Sequence, residues 1–346
     1  MAKIVVLGAG VMGTALCVPA ADNGHKVLLV GTPLDQDIVV TMRRPGGIHP
    51  KLDAAPPAGV EAIRFDELRS EHLANADIIV VGVSSPGIGW VTDILNRVMT
   101  EACPIAFVTK GLESAGSAVS TYAQTLPSRI PLMSAFIGIG GPCIARELAN
   151  RLPTACIYAC EDISVAEQLA AIMQTDYYRL SVTTDVTGVE ACAALKNFYA
   201  IGVSAMQTRY PDQRRADGQS KNPTAAVFTQ ATLEMARLCE RLGGQTTTAF
   251  GLAGLGDLHV TVGGGRNSRL GQGLGTGRTV VEMLSSELFG ETVEGVDTAR
   301  VLANMALEKQ HTDEGPLAYF PLASAIMDAV LQQKRFSLDF SNLIVQ

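Results

Sequence analysis

The chain has 346 residues, 47% of them hydrophobic and 18% charged, with 34 glycines and a formal net charge of −7. That balance excludes a disordered chain, and the acidic charge without a dense Lys/Arg run argues against a nucleic-acid or anionic-membrane surface. A chain of this length is expected to form two domains, with the composition of a glycine-rich α/β enzyme.

In chain order, short β-branched runs alternate with helical stretches: KIVVLG (3–8), KVLLVG (26–31), VEAIRF (60–65), DIIVVGV (77–83), IAFVTKG (105–111) and FIGIGG (136–141). Continuous apolar runs of this kind mark strands buried on both faces of a parallel sheet, and TACIYA (154–159) and YRLSVT (178–183) extend it. The first run starts at Lys3 with no basic n-region or cleavage site before it, so a cytoplasmic rather than secreted protein is expected. No run reaches the ~18–20 apolar residues of a membrane span. After Asp185 the character changes. Thr187 and Glu190 have the spacing of a capping box, and the sequence beyond reads as helices joined by glycine-rich loops. The domain boundary is therefore placed near 185, giving domains 1–185 and 186–346. Gly251 to Gly277 reads as a long glycine-dense binding loop.

Gly8-Ala9-Gly10-Val11-Met12-Gly13 follows a strand and opens a helix, the context that a dinucleotide fingerprint requires. Gly8 permits the tight turn, Gly10 lets the backbone approach a pyrophosphate at the helix N-terminus, and Gly13 lets helix and strand pack closely. The first domain is thus expected to be a Rossmann-type doubly wound sheet, followed by an all-α domain. About twenty residues beyond the fingerprint, where an acidic side chain takes the ribose hydroxyl of NAD, the chain reads Gly31-Thr32-Pro33 instead. Thr32 is a candidate for a 2′-phosphate, with Arg43 or Arg44 either in reach of it or simply solvated, so NAD and NADP both stay open.

Lys110 closes the IAFVTKG run and should project from the carboxyl edge of the sheet, where such sheets bind ligands. Gly141, in Gly140-Gly141-Pro142, allows close backbone approach at the end of FIGIGG, with Cys143 and Ala145 behind it. In the second domain, Lys196 lies inside an apolar helical run from Val189 to Met206. Val189, Cys192, Tyr199, Ala200 and Val203 share its face, so it should point inward, the alternative being a lysine that snorkels to the surface. Desolvation lowers a lysine's pKa toward the range in which it exchanges protons at neutral pH, as a general base must. Asn197 beside it is either a ligand contact or a surface residue. Asp257 in GLGDL offers the lysine a carboxylate, while Arg266 and Asn267 in GGGRN supply a guanidinium fork and an amide donor suited to a phosphate. The seven cysteines show no CxxC spacing and the five histidines no HxxxH pair, so they are read as reduced core thiols and no metal is expected.

Taken together, GAGVMGTAL (8–16), VTKGLE (108–113), GGPCIARELA (140–149), VEACAALKNFYAI (189–201), AFGLAGLGDLHVT (249–261), GGRN (264–267) and VEGVDTA (293–299) closely resemble the NAD(P)-dependent sn-glycerol-3-phosphate dehydrogenases over nearly the whole chain. GTPLD, HPKL and the short spacing from Asp257 to Arg266 look most like an archaeal-type branch. The resemblance implies Lys196 as proton acceptor, Lys110 as a contact to substrate and coenzyme, and Asp257 as support for the site. It implies Gly141, Asn197, Thr261, Arg266 and Asn267 on the substrate side. Coenzyme contacts are implied at Gly8, Gly10, Val11, Met12, Gly13, Thr32, Lys110, Ala145, Arg266 and Glu294. Met12, Cys143 and Gly265 stand where other members often have an aromatic residue, Ser or Thr, and Ser. The implied reaction is reversible hydride transfer between NAD or NADP and C2 of a small phosphorylated substrate held by the two domains, in a homodimer. An enzyme of the same fold acting on another phosphorylated polyol or a hydroxy acid is the second reading. Arg266-Asn267 after GLGDL weighs against a hydroxy acid. A third, a coenzyme-binding regulator without catalysis, should lack one of these residues, and none is missing.

Overall fold

The computed structural model describes residues 1–115, 118–308 and 320–343. The chain forms two compact units, residues 1–110 with 123–189 and residues 111–122 with 190–346. The main division thus lies four residues beyond the boundary expected from the sequence, and residues 111–122 add to the second unit a hairpin that the sequence reading left in the first.

In chain order the strands are β1 (Lys3–Leu7), β2 (Lys26–Val30), β3 (Val60–Ile63), β4 (Ile78–Val81), β5 (Cys103–Phe107), β6 (Leu112–Ala115), β7 (Ala118–Thr121), β8 (Met133–Gly140), β9 (Thr154–Ala159) and β10 (Tyr178–Thr183). The first unit is built on an eight-stranded sheet in the order β10-β9-β8-β5-β4-β1-β2-β3, and its members are the eight runs picked out from the sequence. Burial explains their composition: Ile4, Val5, Leu7, Leu29, Val30, Ile79, Val81 and Ile105 are wholly inaccessible. Each such aliphatic side chain contributes roughly 1.5–3 kcal/mol by leaving water. One expectation needs correcting. The sheet is mixed, because β8 and β9 pair antiparallel and β10 follows β9 in parallel. The link from β8 to β9 holds only the short helix Ala145–Ala149, so the chain returns from the edge it left instead of crossing over.

Among its described residues the second unit is helical apart from the β6–β7 hairpin, which packs on the helix Glu294–Glu308. Its central element, the helix Val186–Arg209, is buried on every side from Val189 to Met206. The capping box proposed for Thr187 and Glu190 is not what starts this helix. Asp185 precedes its first turn, and the Asp185 Oδ1 accepts the Gly188 N–H at 3.0 Å. Nor is 251–277 a loop. It holds a π-helical turn (Leu252–Gly256) and the helices Asp257–Val262 and Arg266–Gly275. Two of its glycines serve close packing: a Cβ on Gly271 or Gly275 would stand 2.2 or 2.1 Å from the carbonyl oxygens of Ile201 and Ala205. The Arg266 helix therefore lies almost backbone to backbone on the Lys196 helix.

A buried carboxylate joins three helices of this unit. Glu234, fully inaccessible on the helix Asn222–Arg241, accepts from Tyr199 Oη (3.2 Å), Gln230 Nε2 (2.8 Å) and the backbone N–H groups of Leu322 and Ala323 (2.8 Å each). The last two donors open the helix Pro321–Leu331, whose own N-cap residue, Phe320, supplies no capping side chain. The Arg241 guanidinium lies 4.6 Å from the centre of the Phe320 ring, covering the same junction.

Candidate active site

In the first unit the ends of β1, β2, β4, β5 and β8 come out along one edge of the sheet. Leu7 is level with Val30 and Val81, Val81 with Phe107, and Phe107 with Gly138. The chain leaves β1 toward β2 on one side and returns to β4 on the other, so the switch point at which such sheets bind ligands lies beside β1. Gly8 emerges there with φ +110°, and a Cβ on Gly13 would stand 2.0 Å from the Gly8 carbonyl oxygen. A Cβ on Gly82, at the end of β4, would meet the Gly13 Cα at 2.8 Å, so this third glycine is part of the same close packing although the sequence reading gave it no role. Nothing stands within 4 Å of a Cβ built on Gly10, and the helix Val11–Asp22 that follows has no side-chain cap. First-turn N–H groups and open space in front of Gly10 fit a pyrophosphate.

The remaining predicted residues of this unit share that edge. Thr109 Oγ1 donates to the Val83 carbonyl (2.8 Å) and Ser85 Oγ to the Lys110 carbonyl (2.7 Å), tying together the loops that leave β4 and β5. Gly141 has φ +120° and packs against the backbone of Cys156, and Ala145 opens the short helix that lies on the fingerprint helix. Thr32 is turned onto its own loop, its hydroxyl donating to Asp35 Oδ2 at 2.8 Å and accepting from the Leu34 N–H at 3.2 Å. Arg43 is held by Glu67 through two hydrogen bonds of 3.0 and 2.6 Å and by the Ala62 carbonyl. Of the two arginines named for a 2′-phosphate, it is therefore the committed one.

The second unit gathers the other group. Lys196 and Asp257, only 5% and 2% exposed, form a buried ion pair. The π-helical turn delivers Asp257 to the first position of its helix. One turn on, Thr261 Oγ1 accepts from Lys196 Nζ at 3.0 Å and donates to the Asp257 carbonyl at 2.6 Å. The lysine is thus oriented by a carboxylate and a hydroxyl on one short helix.

Asn267 is buried and its amide is used internally. Its Nδ2 donates to Asn197 Oδ1 at 3.1 Å, and its Oδ1 accepts the Gly295 N–H at 2.9 Å. That fixes Asn197 with its own Nδ2 directed away from Asn267. Arg266, at the first position of its helix, pairs with Glu294, at the first position of another. The two residues were singled out separately in the sequence, and nothing over a separation of 28 positions signals that they are partners.

Models of the N-terminus and the C-terminus of NAD-dependent glycerol-3-phosphate dehydrogenase match residues 3–166 and 185–338. Among similar proteins, an NADP(+)-dependent glycerol-3-phosphate dehydrogenase of Archaeoglobus fulgidus is 36% identical over 301 residues, covering 86% of this chain and 87% of the relative. A glycerol-3-phosphate dehydrogenase [NAD(P)+] of Exiguobacterium sp. is 32% identical, covering 89% of this chain and 87% of the relative. The crystal structure of glycerol-3-phosphate dehydrogenase from Coxiella burnetii superposes with a TM-score of 0.78 at 26% identity, covering 96% of each chain. The yeast enzyme from Saccharomyces cerevisiae, at 21% identity and a TM-score of 0.78 over 95% of each chain, has the same fold. By sequence over both of its units, the chain belongs to the NAD-dependent glycerol-3-phosphate dehydrogenase family.

Proposed function

We propose that the protein is an NAD(P)-dependent oxidoreductase that interconverts sn-glycerol 3-phosphate and dihydroxyacetone phosphate. The observation that carries the reading is the buried Lys196–Asp257 pair with Thr261. A lysine held this way inside a member of this family is built to exchange a proton, not to solvate a surface.

The fingerprint loop and the helix Val11–Asp22 would hold the coenzyme diphosphate, and the family resemblance supports Val11, Met12, Thr32, Lys110, Ala145, Arg266 and Glu294 as further coenzyme contacts. When bound, the nicotinamide supplies or accepts the hydride. Lys196 gives its proton to the C2 oxygen as the ketone is reduced and takes it back in the reverse direction. Asp257 offsets the ammonium charge and fixes its direction, and Thr261 takes a second donor hydrogen of the lysine. Arg266 binds the substrate phosphate beside the linked Asn197 and Asn267 side chains of the same unit, and the family resemblance supports Lys110 and Gly141 as further substrate contacts. Its pair with Glu294 is half-exposed, 42% and 29% for the two side chains. Such pairs are worth only ~0–1 kcal/mol, so a phosphate dianion can displace the carboxylate. The family resemblance further supports a homodimer in the cytoplasm.

The direct test is oxidation of NADH and, separately, NADPH by the purified protein with dihydroxyacetone phosphate, followed at the reduced-nicotinamide absorbance. Turnover with either is the expected result; coenzyme binding without turnover would move the substrate to another phosphorylated polyol. Arg266→Ala should raise the KM for dihydroxyacetone phosphate by about 10- to 100-fold, the worth of a charge-assisted bond to phosphate. A change confined to coenzyme affinity would take the substrate phosphate away from Arg266.

A further inference from the structure

Ala9, the second residue of the fingerprint, is held at both ends by side chains from outside it. Its N–H donates to Asp35 Oδ2 at 3.1 Å, and the same oxygen accepts the Thr32 N–H (3.0 Å) and the Thr32 hydroxyl (2.8 Å). Its carbonyl oxygen lies 3.1 Å from His49 Nε2 and 3.3 Å from the Thr14 hydroxyl. His49 is wholly inaccessible, and its Nδ1 accepts the N–H groups of Lys51 and Leu52 at 3.2 Å each. With Nδ1 an acceptor, the ring proton sits on Nε2 and is donated to Ala9. Desolvation holds the imidazole below its ordinary pKa, which keeps it neutral and preserves this arrangement.

Asp35 is the first acidic residue after β2, the place from which a carboxylate usually reaches the ribose hydroxyls. Here the loop 31–34 delivers it late, and three donors converge on one of its oxygens. We propose that Asp35 and His49 are positioning residues for the coenzyme: they clamp the Ala9 peptide so that the fingerprint loop is preformed, and Asp35 does not read the ribose. The consequence is a specificity. A carboxylate that reads the ribose favours NAD and repels the 2′-phosphate of NADP, whereas one spent on the loop supports both coenzymes alike. This rests on the coenzyme assigned to the first unit above.

The test uses the full chain with Asp35→Ala and Asp35→Asn, the second keeping an acceptor oxygen and guarding against misfolding of the first. Binding of NADH and NADPH is titrated by fluorescence, and amide hydrogen exchange of residues 8–13 is followed without coenzyme. Asp35→Ala should speed exchange in the loop and weaken NADH and NADPH by the same factor, about tenfold for lost preorganisation. Asp35→Asn should recover most of both. Loss of NADH affinity alone, or a gain for NADPH, would overturn the proposal in favour of ribose recognition, and unchanged exchange with unchanged affinities would overturn it outright. Wild-type protein that binds neither coenzyme would instead remove the underlying assignment, whatever the exchange data show.

Discussion

Replacing Lys196 by alanine is expected to lower turnover with dihydroxyacetone phosphate at least ~100-fold while NADH still binds, because the change removes the acid–base group and leaves every fingerprint residue in place. The effect should fall on kcat and on kcat/KM together, since the proton moves in the transition state. Lys196→Arg should not rescue it: a guanidinium stays protonated and its fork does not fit the space between Asp257 and Thr261. Losing the lysine also removes the ion-pair partner of the Asp257 carboxylate, which is 2% exposed, so part of any deficit is structural. The double variant Lys196→Met, Asp257→Asn removes both charges and separates the two effects. It should regain the unfolding midpoint of the wild type and remain inactive. Turnover in that variant within tenfold of wild type would end the assignment of Lys196 as the proton carrier.

Glu234→Ala should be the most destabilising single change outside the site, by about 3–5 kcal/mol, because it leaves a cavity and removes the acceptor from four donors at once, two of them the opening N–H groups of the helix Pro321–Leu331. The thermal midpoint is expected to drop on the order of 10 °C. Burial raises the Glu234 carboxyl above its ordinary value of 4.5, against the opposing pull of the donors from Gln230, Leu322, Ala323 and Tyr199. A carboxyl raised on folding binds its proton more tightly in the native state. Its proton-linked stability is therefore complete below about pH 4.5 and is lost as the pH rises through the folded value. The gap between wild type and variant should narrow across that window, when followed by urea unfolding at a series of pH values. An unchanged midpoint at every pH would mean that the helix junction does not depend on this side chain.

How far the sequence speaks depends on what each pattern encodes. Continuous β-branched runs report burial on two faces, and all eight strands of the sheet were legible from them. The same runs carry no direction, so the reversal of β9 and β10 had no local signal. For the Lys196 helix, comparing its faces was unnecessary, since every residue from Val189 to Met206 is enclosed, and burial of the lysine follows from the length of the apolar run. Glycine density misled at 251–277, because glycine permits both loops and touching helices, and only the partner surface tells them apart. Lys196 and Asp257 could be named from residue type and setting, Thr261 only from the resemblance, and the three do meet. The pairing of Arg266 with Glu294 and the clamp on Ala9 could not, because each depends on where distant segments come to rest. Asp35 and His49 sat in view, in GTPLD and HPKL, as marks of resemblance without a role.

The β6–β7 hairpin has a consequence for how the protein is made. It leaves the ribosome before β8, β9 and β10 and long before Glu294–Glu308, the helix on which it packs. A lone two-stranded hairpin is marginal in water, so for much of synthesis these residues must wait without their support. Cutting the gene at the apparent junction near residue 189 would therefore yield no self-sufficient half: the downstream piece lacks a hairpin that belongs to it, and the upstream piece carries that hairpin with nothing to cover it.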